Sequence, residues 1–116
     1  MPKILMPTEE PGGLDARVYP HWKGAPTYTI VEVGSSGNVL NLEIAKLGSD
    51  ELLINLVKTR GIEYVVVQSI STRALELLNR VGVRVLKTKS STVRDAVKDF
   101  VEKRLCELRV ECEPMK

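Results

Sequence analysis

At 116 residues, with 43% hydrophobic and 28% charged side chains, the chain has room for one folded domain and is too apolar to be intrinsically disordered. A formal net charge of +2 is too small to imply a nucleic-acid or membrane-surface partner by itself. No stretch approaches the roughly 20 apolar residues that cross a bilayer, Met1–Pro7 is too short an apolar run for a signal peptide, and the expected setting is the cytoplasm.

Aromatic residues are only 4% of the chain, so the core must be built from Val, Leu and Ile, which favours buried strands covered by helices. Lys3 to Met6 reads as a short strand ended by Pro7. Thr8 to Pro26 is a loop rich in Pro and Gly, and a loop of that length in a small domain is more often functional than idle. Thr27 to Val33 and Asn38 to Ile44 alternate in polarity around Gly34-Ser35-Ser36-Gly37, the pattern of a β-hairpin. The period then changes. From Ser49 or Asp50 to Arg60, Leu53, Leu56 and Val57 share one helical face, and Gly61 is placed as a stop. Tyr64 to Val67 is a continuous β-branched run suited to a strand buried on both faces.

Ser71 or Thr72 opens a second helix through Ala74, Leu75 and Leu78, and Val83 to Leu86 reads as another strand. Thr92 and Asp95 form a capping-box pattern, after which Val93, Ala96, Val97, Phe100 and Val101 trace the inner face of a third helix. Crossover units in the second half force parallel pairing. The expected fold is therefore one α/β domain over 1–105, with a five-stranded mixed sheet and three helices. Residues 106–116 are expected to be a charged tail. Cys106 and Cys112 do not make a zinc site; they read as free thiols in a reducing compartment, the alternative being a disulfide in a hyperthermophile cytosol.

Ligands of open α/β sheets gather beyond the carboxyl ends of the strands. That rule selects Thr8 with its neighbours, the segment holding Ser69 and Ser71, and the segment holding Lys87, Ser91 and Thr92. Two helix N-termini with hydroxyls and lysines suit an anion, because free N–H groups and dipoles point there. Ser71 and Thr92 are equally read as plain N-caps. His21, Trp22 and Lys23, on the long loop, describe either a ligand clamp or ordinary packing and surface residues. No nucleophile motif, G-x-G-x-x-G or P-loop occurs. Arg80, Arg84, Lys87, Lys89 and Arg94 form a basic streak without an aromatic platform, so nucleic acid is not the expected partner.

The segments Met6-Pro-Thr8, Leu14-Asp15-Ala-Arg17-Val18, His21-Trp-Lys-Gly-Ala-Pro26, Tyr28-Thr-Ile-Val31 and Gly82-Val-Arg-Val85 leading to Ser91-Thr92-Val93, taken in order, resemble the dinitrogenase iron–molybdenum cofactor biosynthesis family. These are small proteins of ribonuclease-H-like architecture that hold or carry nitrogenase cofactor precursors. The family pattern His-Phe-Gly-Arg-Ala-Pro is matched by His21, Ala25 and Pro26, with Trp22 for Phe and Lys23-Gly24 standing where the family has its Arg. A Gly- and His-rich loop before the first helix is missing, and Gln68-Ser69-Ile70-Ser71 replaces a Gly-rich turn.

The resemblance implies a non-enzymatic carrier of an iron–sulfur or iron–molybdenum cluster precursor, or of another small anion. The cargo would rest against the two helix N-termini, with Thr8, Ser69, Ser71, Ser91 and Thr92 around it and the His21–Trp22 loop closing over it. His21 would be the metal ligand, and Lys23 and Lys87 would supply charge complementarity. The rival reading is a metal-free protein-interaction module. An enzyme acting on a small phosphorylated substrate would have only His21 as its base. A two-metal nuclease needs carboxylates on the central strands; Lys3 to Pro7 and Tyr64 to Ser69 carry none.

Overall fold

Strand alternation sorts the apolar residues onto two faces of one sheet. In β1 (Lys3–Thr8) Leu5 points one way and Ile4 and Met6 the other, all fully buried. The same division runs through β2 (Thr27–Val33), β4 (Tyr64–Val67) and β5 (Arg84–Lys87): Tyr28, Ile30, Val65, Val67 and Val85 face one core, and Val31, Val33, Val66 and Leu86 the other. Strands buried on both sides need cover on both. α1 (Asp50–Thr59) and α2 (Thr72–Arg80) cover the first face with Val57, Ala74, Leu75 and Leu78. α3 (Val93–Val101) covers the second with Val93, Ala96 and Val97, helped by Ala16 and Val18 of the first loop. The computed structural model describes residues 3–22, 24–46, 50–103 and 105–108. Lys23, Ser49, Cys112 and the distal tail lie outside the described residues, as do the side chains of Leu53 and Cys106.

With β3 (Val39–Ala45) and β6 (Cys106–Leu108), the sheet runs in the order β3-β2-β1-β4-β5-β6. Pairs β1–β4 and β4–β5 are parallel; β1–β2, β2–β3 and β5–β6 are antiparallel. The mixed sheet and three helices agree with the expectation, but the strands number six, not five. The sixth, β6, pairs Val85↔Leu108, Leu86↔Glu107 and Lys87↔Cys106, inside the segment expected to be tail. A Cys-Glu-Leu tripeptide is too short to carry a periodic signal; it is ordered by the free edge of β5, which no local pattern announces.

β1 also runs through Pro7 to Thr8 instead of stopping at Met6. The Lys3 carbonyl accepts from Glu63 N on the β4 side, so strand alternation turns Pro7 to that side too. Pairing with β4 is recorded only for Ile4 and Leu5. Proline's missing N–H therefore falls where the ladder has ended. Among the described residues no helix is long and apolar enough to cross a membrane.

Candidate functional site

The long first loop is pinned at both ends. At its start Thr8 is fully buried, and its Oγ1 lies 2.7 Å from Thr27 Oγ1 and 2.9 Å from Thr29 Oγ1. Gly13 N donates to Thr29 Oγ1. The chain then doubles back, bridging Thr8 to Val18, with Glu9 N donating to Arg17 O and Tyr19 N to Pro7 O. The Thr8 hydroxyl is consumed by this closure, so it holds the loop rather than facing a ligand.

The loop's return leg crosses the opening turn of α3. Val93 N donates to Ala16 O at 3.0 Å and Arg94 N to Leu14 O at 2.8 Å, while Asp95 N is taken by Thr92 Oγ1 and Ala96 N by Thr92 O. The donors that make a helix N-terminus attractive to anions are thus already bonded, and Thr92 acts as an N-cap. Ser91 is exposed and gives its carbonyl to Val18 N; Lys87 is exposed at the end of β5, opposite Cys106.

The N-terminus of α2 is different. Ser71 caps it, its Oγ accepting from Ala74 N at 3.2 Å. Among the described residues nothing accepts from Thr72 N or Arg73 N. Directly against this end lies a cleft of about 120 Å³ lined by His21, Trp22, Ser69, Ile70 and Ser71. His21 is exposed on its rim, edge-on to Tyr19 with ring centroids 6.3 Å apart. Trp22 is buried in the core beside Tyr28 (5.7 Å, edge to face), and Tyr28 Oη donates to Trp22 O at 2.8 Å. Trp22 is therefore the anchor that fixes His21 over α2, not a mobile flap.

Of the residues expected at the site, the structure brings His21, Trp22, Ser69 and Ser71 together. Lys87, Ser91 and Thr92 do not line this cleft, because α2 and α3 lie on opposite faces of the sheet. Thr8 is interior, and Lys23 lies outside the described residues. Arg73, exposed in the first turn of α2, stands outside the residues expected at the site; its place two residues beyond the Ser71 cap is the only signal for it in the sequence. No group of three or more His, Cys, Asp or Glu side chains converges among the described residues. The cleft itself offers one imidazole and two hydroxyls, and the two main-chain donors of Thr72 and Arg73 lie next along the chain at the start of α2, a set suited to an anion's outer surface and to at most one exchangeable metal bond.

A wider cleft of about 580 Å³ opens at the other end of the sheet, between Tyr64, Arg84, Phe100 and Glu107. Its guanidinium is already occupied: Arg84 Nε is 3.5 Å from Glu107 Oε2, and its head lies 6.0 Å from the Tyr64 ring centroid. At the first loop, Arg94 reaches Asp15 Oδ1 with Nε and Nη2 at 3.2 and 3.0 Å, but both side chains are largely exposed. Asp15→Ala is expected to cost less than about 1 kcal/mol in urea unfolding, since solvent screens such pairs and main-chain bonds hold the loop. A larger loss would mean that the ion pair, not the carbonyls of Leu14 and Ala16, closes it.

Residues 2–103 match the family described as dinitrogenase iron-molybdenum cofactor. The uncharacterized protein MJ0580 of Methanocaldococcus jannaschii is 24% identical over 110 residues, spanning 89% of this chain and 88% of its own. Among solved structures, the crystal structure of PH0822 superposes with a TM-score of 0.76 at 24% identity, covering 90% of this chain and 95% of that one. The apo form of the orange protein from Desulfovibrio gigas gives 0.75 at 20% identity, covering 93% of each. These likenesses show that the fold is shared.

Proposed function

The chain belongs to the dinitrogenase iron-molybdenum cofactor family, and from that premise we propose that it is a non-catalytic carrier which holds an anionic metal–sulfur cluster, or a precursor of one, between the first loop and the N-terminus of α2. The observation that carries the reading is the convergence of His21, Ser69 and Ser71 on a cleft beside the N–H groups of Thr72 and Arg73, which have no acceptor among the described residues. Oriented amides and a helix N-terminus favour a negative charge, and the Arg73 guanidinium adds a cation at the same end. A cleft of about 120 Å³ grips one side of a cluster and leaves the rest accessible. A single imidazole ligand makes release easy, which is what a protein handing on its cargo requires. The proposed setting is the cytoplasm. The hairpin on one side of β1 and the crossover strands on the other support a ribonuclease-H-like architecture.

The test is anaerobic. Wild type, His21→Ala and Cys106→Ala/Cys112→Ala are each incubated with iron, sulfide and molybdate, desalted, and assayed for metal content and visible absorption. Wild type and the cysteine pair variant are expected to retain metal and colour; His21→Ala is expected to lose most of both. If all three emerge colourless and metal-free, the carrier reading fails and a metal-free interaction module takes its place. Retention by His21→Ala with loss in the cysteine variant would put the cargo in the C-terminal segment instead.

A further inference from the structure

We propose that the free edge of β3 is where a second copy of this chain docks, antiparallel, about a twofold axis through Leu42. β3 is an edge strand of seven residues. Its inner groups pair with β2 in the register Ile30↔Glu43, Val31↔Leu42 and Glu32↔Asn41. Leu42 N is not spent on that ladder: it donates to Oδ1 of Asn41, the residue just before it in the same strand, at 2.9 Å. The Leu42 peptide group therefore faces outward, and strand alternation turns that of Ile44 the same way.

The side chains add an apolar stripe. Leu40, Leu42 and Ile44 are 49%, 39% and 44% exposed, three of the five exposed large hydrophobics among the described residues. They lie on the face that α3 and the first loop cover elsewhere in the sheet; here the cover stops at Gly12, where an added Cβ would stand 2.9 Å from Ile44 Cγ2. Natural edges are commonly blunted with Lys, Pro or a stranded charge. The segment 39–45 has no Lys, Arg or Pro, and its one charge, Glu43, is paired with Arg60 at 2.7 Å. Its protection is the Asn41 side chain on Leu42 N and an irregularity at Leu40, which the β2–β3 register passes over between Asn41 and Val39; the first is exchangeable, and the second confines the regular exposed edge to residues 41–45.

A second copy fits this edge by symmetry. With the twofold at Leu42, its outward N–H and C=O exchange with the partner's Leu42, and Leu40 meets the partner's Ile44. Asn41, released from Leu42 N, stands opposite the partner's Glu43, amide to carboxylate, so no like charges are opposed. A slip of one residue would centre the pair on Asn41 or Glu43, whose peptide groups are already bonded to β2. The contact is small beside the ~800 Å² per partner of a stable interface, so the dimer is a weak one that forms only at high protein concentration.

Sedimentation velocity of the full chain from about 10 μM to about 1 mM brackets an interface of this size. The weight-average mass is expected to rise towards twice the monomer value across that range, and Leu42→Lys is expected to abolish the rise with an unchanged circular dichroism spectrum. Should Leu42→Lys fail to fold, Leu42→Cys in a Cys106→Ser/Cys112→Ser background decides: mild oxidation is expected to give a disulfide-linked dimer, and Ser35→Cys in the same background is expected to give none. A wild type that stays monomeric throughout, a dimer that survives Leu42→Lys, or equal cross-linking at positions 35 and 42 each overturns the proposal.

Discussion

Leu78→Ala is expected to lower the stability of this protein by about 3 kcal/mol, the middle of the range for emptying a fully buried leucine site. Leu78 is completely buried, on the face of α2 that meets Leu5, Val65, Val83 and Val85. Its carbonyl also accepts from Val81 N and Val83 N, where the helix ends and the chain turns into β5. The surroundings come from several strands and both helices of that face, so they cannot collapse into the space left behind. For a domain whose total stability is on the order of 5–15 kcal/mol, the loss is a large fraction, and a fall of about 10 °C or more in the thermal midpoint accompanies it. Urea unfolding followed by circular dichroism measures it, with the slope unchanged from wild type. A loss under about 1 kcal/mol would mean that α2 does not close this face of the sheet.

Thr8→Val is the second large effect, expected at about 1–3 kcal/mol although the volume hardly changes. The three hydroxyls of Thr8, Thr27 and Thr29 are all buried and share one network. Removing the Thr8 hydroxyl leaves Thr29 Oγ1 with its donor, Gly13 N, but without the partner 2.9 Å away. Thr27 fares better, since its Oγ1 keeps the carbonyls of Thr8 and Glu9 within 3.0 and 3.2 Å. The two positions should therefore couple unequally with Thr8. A double-mutant cycle of Thr8→Val with Thr29→Val is expected to show an interaction of at least about 0.5 kcal/mol. Strict additivity would mean that the hydroxyls pack side by side without a shared network.

What could be read in the sequence follows from which interactions leave a local pattern. The β-branched run Val65–Val67 became a strand buried on both faces. Alternation around Gly34–Gly37 became a hairpin, and Thr92 with Asp95 became a capped helix start. Each of these is written in the residues that do the work. β6 was missed because three residues carry no period. The placement of α3 depended on β6: α3 leads from β5 to an antiparallel strand, so the right-handed crossover rule did not say which face it would cover. This is why the two helix N-termini, expected to share one lip, ended on opposite sides of the sheet. Trp22 was half-legible. Its size favoured burial, but only the Tyr28 ring and hydroxyl, across the sheet face, decide that it anchors His21. The part proposed for Arg73 is electrostatic, and a charge at an exposed position leaves no apolar signature.

The closure of α3 by the first loop sets an unusual constraint on how this chain can change over generations. The acceptors are the main-chain oxygens of Leu14 and Ala16, and an oxygen of that kind is present whatever residue stands there. Exchanging exposed side chains in the loop, Asp15 or Arg17 for instance, leaves the closure chemically intact. Adding or deleting one residue between the Thr8–Val18 bridge and these oxygens would instead carry both out of reach of Val93 and Arg94. Insertions and deletions, not substitutions, are what this stretch resists, so relatives could diverge widely in letters here while keeping the same number of them.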